Sequence, residues 1–181
     1  ALWLAGAFVD INERVEIAVS AQHMATHDNL TNIANRALFN KKMEEAFEAS
    51  LRSSEVFSVI ILDLNAFKEV NDEHGHQAGD QLLRHVANNI LSVVKNTDTV
   101  ARLGGDEFAL ILPGIHVPTD INIIMPKILE AIREPIKIEQ LDVVVHGSCG
   151  VAIYPDHSTA HATLCRYADK AMYLAKEQHN T

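Results

Sequence analysis

The stretch that decides the fold is Val100-Ala-Arg-Leu-Gly-Gly-Asp-Glu-Phe-Ala-Leu-Ile-Leu112. Apolar residues flank the adjacent glycines Gly104 and Gly105, a pattern that predicts two strands joined by a tight β-turn. Glycine tolerates the positive φ that such turns require, and it lets a ligand approach the backbone. Asp106 and Glu107 follow the turn and would point to opposite faces of the second strand. Because buried carboxylates must be neutralised, the pair predicts a bound cation, and a divalent metal is the simplest one.

The size and composition of the chain predict one domain with a well-formed core. Its 181 residues are 48% hydrophobic, so any additional segment would be a short appendage. The formal net charge of −9 argues against nucleic acid as a partner, because neutralising its phosphates requires clustered Lys and Arg. A nucleoside triphosphate remains compatible, since a bound metal and a few cations can neutralise it.

The cysteines and apolar segments predict a cytoplasmic domain. Cys149 and Cys165 lie far apart without metal-ligand spacing, so we expect them to be reduced and to pack as small hydrophobic residues. The longest uninterrupted apolar stretch, residues 1–9, is too short to span a bilayer. A chain that begins without Met is expected to belong to a longer protein, and that full-length protein could be attached to a membrane.

The first 27 residues predict an appendage to the domain. Residues 1–10 are typical of a short strand, and together with residues 11–14 they resemble the end of a PAS sensor domain, the alternative being a tail. Residues 11–27 have heptad-spaced small or apolar positions, which predicts a linker helix that pairs weakly with its copy in a dimer. The alternative for this segment is a surface helix with a narrow apolar stripe.

Hydrophobic periodicity predicts the remaining elements. Helices are expected at residues 36–50, 79–94, 120–133 and 159–177, and strands at 57–62, 99–103, 107–112, 136–138 and 143–153. The strand at 57–62 is continuously apolar and β-branched, which is typical of a central strand buried on both faces and ending at Asp63. Asp28 or Thr31 would cap the first helix, and Pro126 would kink or break the third. This order predicts an α+β fold with a central, mostly antiparallel sheet flanked by helices.

Five motifs in order resemble those of the GGDEF family of diguanylate cyclase domains. The segment Arg102-Leu-Gly-Gly-Asp-Glu-Phe108 resembles the family signature, and related motifs occupy residues 28–36, 63–68, 71–80 and 167–176. The resemblance covers residues 26–178, so we expect the GGDEF domain at 28–178. It implies a palm-like fold, similar to the core of class III nucleotide cyclases and many polymerases.

The resemblance implies a metal centre at one edge of the sheet. Asp63, the backbone carbonyl of Leu64, Asp106 and Glu107 would hold two Mg²⁺ per active site, with Mn²⁺ as a substitute. Asp106 and Glu107 would be catalytic, and whether Asp106 or a metal-bound hydroxide takes the proton of the attacking hydroxyl stays open. Taken singly, Asp63 could equally be a strand-end cap, and Asp106 with Glu107 a solvated turn.

The resemblance also implies the residues that bind GTP. Asn71 and Asp80 would recognise guanine, because a carboxylate can accept hydrogen bonds from its N1–H and exocyclic amine, which adenine lacks as a pair. Asp80 could otherwise be the N-cap of its helix. Leu30 and Leu83 would form the walls of the pocket. The groups facing the phosphates would be Phe67, Lys68, Gly104, Gly105 and Lys176.

The expected activity is the condensation of two GTP into cyclic di-GMP and two pyrophosphates, in a homodimer gated by an upstream sensor domain. The alternative is a catalytically weak GGDEF module that binds GTP and regulates a downstream EAL phosphodiesterase domain. Asn65, where the family commonly has Asp, and His179, near which the family has an Arg, favour the alternative. Lys95 replaces the Arg of the family's Arg-x-x-Asp product-inhibition motif, so feedback inhibition is expected to be weak or absent.

Overall fold

The computed structural model describes residues 15–16, 21–115, 118–138 and 140–179, without the side chains of residues 118 and 179. Its helices are α1 (Arg36–Ser53), α2 (Phe67–His74), α3 (His76–Val93), α4 (Pro118–Arg133) and α5 (His161–His179). Its strands are β1 (Phe57–Asn65), β2 (Thr99–Gly104), β3 (Glu107–Pro113), β4 (Ile136–Ile138), β5 (Leu141–Val143) and β6 (His146–Tyr154). Residues 21–26 are also helical. The PAS-like segment expected at 1–10 and much of the expected linker helix lie outside the described residues.

The strands of the main sheet are all antiparallel, in the order β2-β3-β1-β6. Every residue of β1 from Phe57 to Leu64 is buried, which confirms the predicted central strand. The apolar run predicts that the strand ends at Asp63, but β1 continues to Asn65. Asp63 therefore lies inside the ladder. The predicted α+β fold with an antiparallel sheet flanked by helices is confirmed.

The side chains of β1 alternate between two core clusters, one on each face of the sheet. Ile60, Leu62 and Leu64 pack with apolar residues of α3 and α4. Phe57, Val59 and Ile61 pack with residues of α1 and α5 on the other face. By the same alternation the side chain of Asp63 emerges on the face covered by α1 and α5. The residues predicted to face inward from the first two helices are buried or pack against a cluster: Leu38, Phe39, Met43, Ala46, Phe47, Leu82, Leu83, Val86 and Ile90.

Helix α5 packs its backbone directly against β6. A Cβ placed on Gly150 would lie 2.0 Å from the carbonyl oxygen of Ala168 and 2.2 Å from the amide nitrogen of Met172. Only a residue without a side chain fits between strand and helix at this point. This close approach fixes where α5 runs over the sheet, and it therefore positions the side chains near the end of that helix.

Several predicted boundaries were wrong. The loop expected after the central strand is the short helix α2, and α3 begins at His76 rather than at Gly79. Helix α2 buries only Val70, so it carries almost no hydrophobic periodicity. The helix α4 continues through Pro126 without a break. The cap of α1 is Asn35, whose side chain accepts a hydrogen bond from the amide of Leu38; it is neither of the two residues expected.

The second predicted hairpin was only partly right. Strand β4 pairs with β5 in a separate two-stranded sheet, and β6 pairs with β1 instead. The strand expected at 143–153 is therefore two strands, separated at Val144 and Val145. These β-branched residues give no turn signal, so the break could not be located from the sequence.

The packing of the two cysteines agrees with expectation. Cys149 and Cys165 are free and pack against the two core clusters as small hydrophobic residues. Burial raises the pKa of the Cys149 thiol to about 12. Among the described residues, no helix combines the length and the apolar character needed to cross a bilayer.

Candidate functional site

The first half of the site is the end of β1, where a buried acid meets a lysine from α5. The Nζ of Lys176 lies 2.5 Å from Oδ1 of Asp63, joining residues 113 positions apart in the chain. The side chain of Asp63 is only 11% exposed, and that of Lys176 is 38% exposed. The central strand and the last helix thus bring together an acid expected to bind metal and a lysine expected to bind phosphate.

The second half of the site is the tip of the β2–β3 hairpin. Gly104 pairs with Glu107, so the two-residue turn consists of Gly105 and Asp106; the expected Gly-Gly turn is one residue out of register. The shift comes from an irregularity between Arg102 and Gly104 in the ladder, which the motif alone does not reveal. Gly105 has φ 54° and Gly104 has φ 145°, both unfavourable for other residues. No atom lies within 4 Å of a Cβ built on either glycine, so a ligand can approach the backbone.

Hydrogen bonds hold this hairpin tip in place. The amide of Leu64 donates to the carbonyl of Asp106 at 3.2 Å, which ties the turn to β1. Nε of Arg102 donates to the carbonyl of Gly105 at 2.9 Å, and its Nη1 lies 3.0 Å from Oδ1 of Asp28. Arg102 therefore links the turn to the segment that follows the helical residues 21–26.

Asp28 is an anchor in this arrangement. Its Oδ1 accepts hydrogen bonds from both the amide and the hydroxyl of Thr31, in addition to the contact with Arg102. Burial alone would raise the pKa of Asp28, but the hydrogen bonds from Thr31 and the Arg102 guanidinium outweigh it and hold that pKa below its usual range. Asp28 therefore has a structural role, joining the Thr31 turn to Arg102.

The three expected acids gather at one edge of the sheet. Asp63 and Glu107 are directly paired in the β1–β3 ladder, so their side chains lie on the same face. Burial, together with the negative charge of Asp63, raises the pKa of Asp106 above its usual value. The side chain of Glu107 is 43% exposed, with Nη2 of Arg36 at 3.7 Å from Oε2. Of the two turn acids, Glu107 is thus the one that β3 leaves open to solvent at the hairpin tip.

The chemistry of this donor set suits a hard divalent cation. All three side chains offer carboxylate oxygens, the ligands that Mg²⁺ prefers. Two of them, Asp63 and Glu107, already contact a positive side chain, Lys176 and Arg36 respectively. Among the described residues, no three acidic, histidine or cysteine side chains converge closely enough to form a complete ligand group. The acids thus suit a metal in ligand type, but in this arrangement they do not converge on a single ion.

The residues expected to recognise guanine lie at the α2–α3 junction. A Cβ placed on Gly79 would lie 2.1 Å from Oδ1 of Asn71 and 3.2 Å from the ring of Phe67, so both side chains cover that glycine. Asp80 is the next residue and is exposed. Because α3 begins at His76, Asp80 lies inside the helix, and the alternative that it caps the helix was wrong.

Leu30 and Leu83, the residues expected to wall the guanine pocket, both lie at the core cluster beneath α3. Leu83 is a buried member of that cluster, and the partly buried Leu30 packs against it. Nε of Arg84 donates to the carbonyl of Leu30 at 3.2 Å, which holds the 28–31 segment against α3. Arg84 was not singled out in the sequence, because nothing in its spacing links it to a residue so far upstream.

The segment expected to face phosphates forms the start of α2. Asn65 ends β1, and its Oδ1 accepts a hydrogen bond from Ser148 Oγ at 2.9 Å. Ala66 adopts φ 60° and turns the chain directly into α2, whose first-turn amides lack intrahelical acceptors. Lys68 lies in this first turn and is exposed. Ser148 is the ladder partner of Asp63 and holds the Asn65 side chain, a part in the site that the sequence did not indicate.

The positions of the product-inhibition motif form a closed local turn. The amide of Lys95 donates to Oδ2 of Asp98 at 2.8 Å, so this carboxylate is engaged by the backbone of the same turn. Both residues line a cavity of about 230 Å³, together with Leu112 and Ile124. Neither side chain offers the planar fork of an arginine.

Comparison with known proteins agrees with this geometry. The family described as "Diguanylate cyclase, GGDEF domain" matches residues 25–181. The chain is 41% identical over 155 residues to the bifunctional diguanylate cyclase/cyclic di-GMP phosphodiesterase MucR of Pseudomonas aeruginosa, covering 86% of this chain and 22% of MucR. It is 38% identical over 160 residues to the diguanylate cyclase TpbB of the same species, covering 88% of this chain and 37% of TpbB. The chain therefore spans well under half the length of these relatives.

A solved structure has the same fold. The coiled coil and GGDEF domain of DgcB from Caulobacter crescentus, solved in complex with c-di-GMP, superposes with a TM-score of 0.84 at 28% identity. The match covers 97% of this chain and 93% of that one. From the family match over most of its length, the motifs and the fold, this chain belongs to the GGDEF family of diguanylate cyclase domains.

Proposed function

We propose that this chain is the catalytic domain of a diguanylate cyclase that condenses two GTP into cyclic di-GMP and two pyrophosphates. The observation that carries the proposal is the β1–β3 register, which places Asp63 opposite Glu107 and bonds Leu64 to the turn residue Asp106. Three acids from two separate motifs thereby share one sheet edge, as a metal-dependent phosphoryl transfer requires.

The metal would be held by Asp63, the Leu64 carbonyl, Asp106 and Glu107. Bound Mg²⁺, or Mn²⁺ in its place, supplies neutralisation of the charge that develops on the reacting phosphate. The chain's own groups then orient the substrate: Lys68 and Lys176 bind the triphosphate, and the open turn at Gly104 and Gly105 admits it. Asp106, whose pKa is raised by burial and by Asp63, is a suitable acceptor for the proton of the attacking hydroxyl.

The reaction requires two copies of the domain. The 3′-oxygen of one GTP forms a bond to the α-phosphorus of the other, the bond to pyrophosphate breaks, and the 3′-hydroxyl proton passes to the base. The same step, repeated in the opposite sense, closes the ring. Each protomer holds one GTP, so the productive state is an antiparallel homodimer and a monomer is inactive. An upstream sensor domain in the full-length protein would control how the two protomers meet. The GGDEF domain would act in the cytoplasm.

Guanine recognition is proposed for the α2–α3 junction. Asn71 and Asp80 would bind the base edge between Leu30 and Leu83. Asp80 is exposed and accepts guanine's N1–H and amine, whereas adenine offers no such donor pair and would leave the carboxylate unsatisfied. The substitution Asp80→Asn should therefore reduce the preference for GTP over ATP in a competition assay, while the fold is unchanged.

The activity is tested directly with the purified dimer. Incubation with GTP and Mg²⁺ should produce cyclic di-GMP and pyrophosphate in a ratio of one to two, measured by mass spectrometry and a pyrophosphate assay. Glu107→Ala should abolish this production and leave the protein folded. The matched control is Glu48→Ala, which removes another exposed glutamate with an arginine partner, Arg52 at 3.4 Å, and should leave turnover unchanged. Production by Glu107→Ala at the wild-type rate would contradict the proposal.

A specific observation favours a second candidate, a GGDEF module that binds GTP and regulates a downstream EAL domain. Asn65 stands where the family commonly has an acid, so the site has one negative charge fewer. The side-chain oxygen of Asn65 is also engaged by Ser148. The relative MucR is named as both a diguanylate cyclase and a cyclic di-GMP phosphodiesterase. This candidate predicts GTP binding by calorimetry without any cyclic di-GMP, which the assay above separates from turnover.

We also infer that product feedback through Lys95 and Asp98 is weak. The Asp98 carboxylate accepts from the Lys95 amide, and an ammonium cannot grip a guanine edge or phosphate with two parallel hydrogen bonds. Cyclic di-GMP should therefore inhibit the purified cyclase only far above micromolar concentrations. Tight binding that is lost in Lys95→Ala would overturn this inference.

A further inference from the structure

Lys176 and Asp63 contact each other, although the proposed function requires each of them to bind a different ligand. Asp63 is expected to bind the metal, and Lys176 the triphosphate, yet their side chains bind each other at 2.5 Å. Asp63 is almost fully enclosed, so its ion pair is poorly screened by water. The two residues cannot serve their separate ligands until this pair opens.

The metal and the ammonium would compete for the Asp63 carboxylate, whose Oδ1 is bound by Lys176. A divalent cation on Oδ1 of Asp63 would stand in contact with the Nζ of Lys176 and repel it. Lys176 is partly exposed and on a flexible four-carbon stem, so it can leave Asp63 when another anion is in reach. The phosphates of an incoming nucleotide are such an anion, and the nucleotide also delivers its own metal.

We propose that Lys176 couples metal binding to nucleotide binding, by occupying Asp63 until a triphosphate draws its ammonium away. The inference rests on the proposed function, since it assumes that Asp63 holds the metal and Lys176 the phosphates. Metal alone binds weakly because it must displace the lysine, and metal binds tightly once nucleotide has taken the lysine. By reciprocity, metal raises the nucleotide affinity by the same factor.

The ion pair at the other acid is a poor candidate for this role. Glu107 and Arg36 are 3.7 Å apart, with side chains 43% and 60% exposed, so water screens the pair and solvates each charge when they separate. Displacing Arg36 therefore opposes the metal little. The coupling is expected to reside at Asp63.

The test measures Mn²⁺ affinity by electron paramagnetic resonance, with and without a non-reactive GTP analogue. In the nucleotide-free dimer, Lys176→Met should bind Mn²⁺ at least about tenfold more tightly than the wild type, because no cation competes for Asp63. The analogue should raise the wild-type Mn²⁺ affinity at least about tenfold and that of Lys176→Met by much less. The matched control is Lys170→Met, which removes the same charge from an exposed position about one and two-thirds turns earlier on α5 and should change neither affinity.

The outcomes separate this inference from the proposed function. If nucleotide-free Lys176→Met binds Mn²⁺ no more tightly than the wild type, the coupling role is overturned even if the wild type makes cyclic di-GMP. If the Mn²⁺ pattern is as expected but the wild type makes no product, the coupling stands and the cyclase proposal fails. Should Lys176→Met not fold, Lys176→Gln keeps a hydrogen-bond donor for Asp63 without the charge, and the same tightening is expected of it.

Discussion

The end of β1 and the tip of the β2–β3 hairpin meet at the same edge of the sheet, but they are built differently. Asp63, on the strand, is paired on both sides by neighbouring strands and covered by Lys176 from α5. The tip carries two glycines with open space around them and an acid, Glu107, that is nearly half exposed. Two residues that face each other in one ladder therefore sit in opposite environments.

The difference divides the site into a fixed half and an adjustable half. The strand end cannot move without disturbing the central sheet, so it defines where a metal would sit. The tip is exposed and is held by a few hydrogen bonds, from the Leu64 amide, from Arg102 and from Arg36. We therefore expect the tip to adapt more readily than the strand end. Each of the following changes acts on one half and leaves the other.

The largest effect is expected from Asp63→Asn in the fixed half. Loss of this carboxylate removes a metal ligand, and because metal assistance contributes several kcal/mol, turnover should fall by about 10³-fold or more. Cyclic di-GMP formation by mass spectrometry measures the loss, and circular dichroism checks the fold. Asp142→Asn, an exposed acid on β5, is the matched control and should retain activity. An active Asp63→Asn would show that the fixed half does not hold the metal.

Substituting a glycine of the sheet beside the fixed half and a glycine of the tip should change the free energy of unfolding by different amounts. Gly150→Ala would drive a methyl group into the backbone of α5, and we expect a loss of about 3 kcal/mol in the free energy of unfolding. Gly105→Ala at the tip meets no atom and should cost only about 1 kcal/mol, for its left-handed backbone conformation. Urea unfolding measures both. Equal losses would mean that the tip is packed as tightly as the sheet.

Breaking the anchor of the adjustable half should have an intermediate, pH-dependent effect. Asp28→Asn weakens the ion pair with Arg102, which is partly buried, and should cost about 1–2 kcal/mol of stability at neutral pH. Because the pKa of Asp28 is held below its usual range in the fold, its carboxylate stabilises the protein above a pH of about 3.9.

That stabilisation is lost as the pH falls through the lowered pKa, where the folded carboxylate also takes up a proton. The difference in unfolding free energy between the wild type and Asp28→Asn should therefore shrink below a pH of about 3.9. Thermal melts across an acid pH series test it. A difference that grows as the pH falls would contradict the assignment.

The smallest effect is expected from Arg36→Gln at the tip. The pair with Glu107 is long and exposed, so its loss should change the unfolding free energy by less than about 0.5 kcal/mol. Urea unfolding should give a small difference between variant and wild type at low salt and a still smaller one at high salt, which screens the ion pair. A cost comparable to that of Asp28→Asn would show that Arg36 anchors the tip, through Glu107 or through the hydrogen bond from its Nε to the carbonyl of Leu103 at 3.2 Å.

The sequence predicted the parts of this arrangement that are encoded locally. The apolar run of β1 and the glycines of the hairpin determine the central strand and the turn, and both formed. Helix α2 was missed because only Val70 is buried, and the turn register was missed because an irregularity near Leu103 shifts it. The Lys176–Asp63 pair joins residues 113 positions apart, and its formation depends on how α5 crosses the sheet, which no local pattern encodes.

The most direct test of the account is a crystal structure of the dimer with Mn²⁺ and a non-reactive GTP analogue, with anomalous diffraction data to locate the metal. The account predicts an anomalous peak between the carboxylates of Asp63 and Glu107, with the Nζ of Lys176 moved from Asp63 to the triphosphate. A bound triphosphate with its metal away from both acids, and Lys176 still on Asp63, would contradict it.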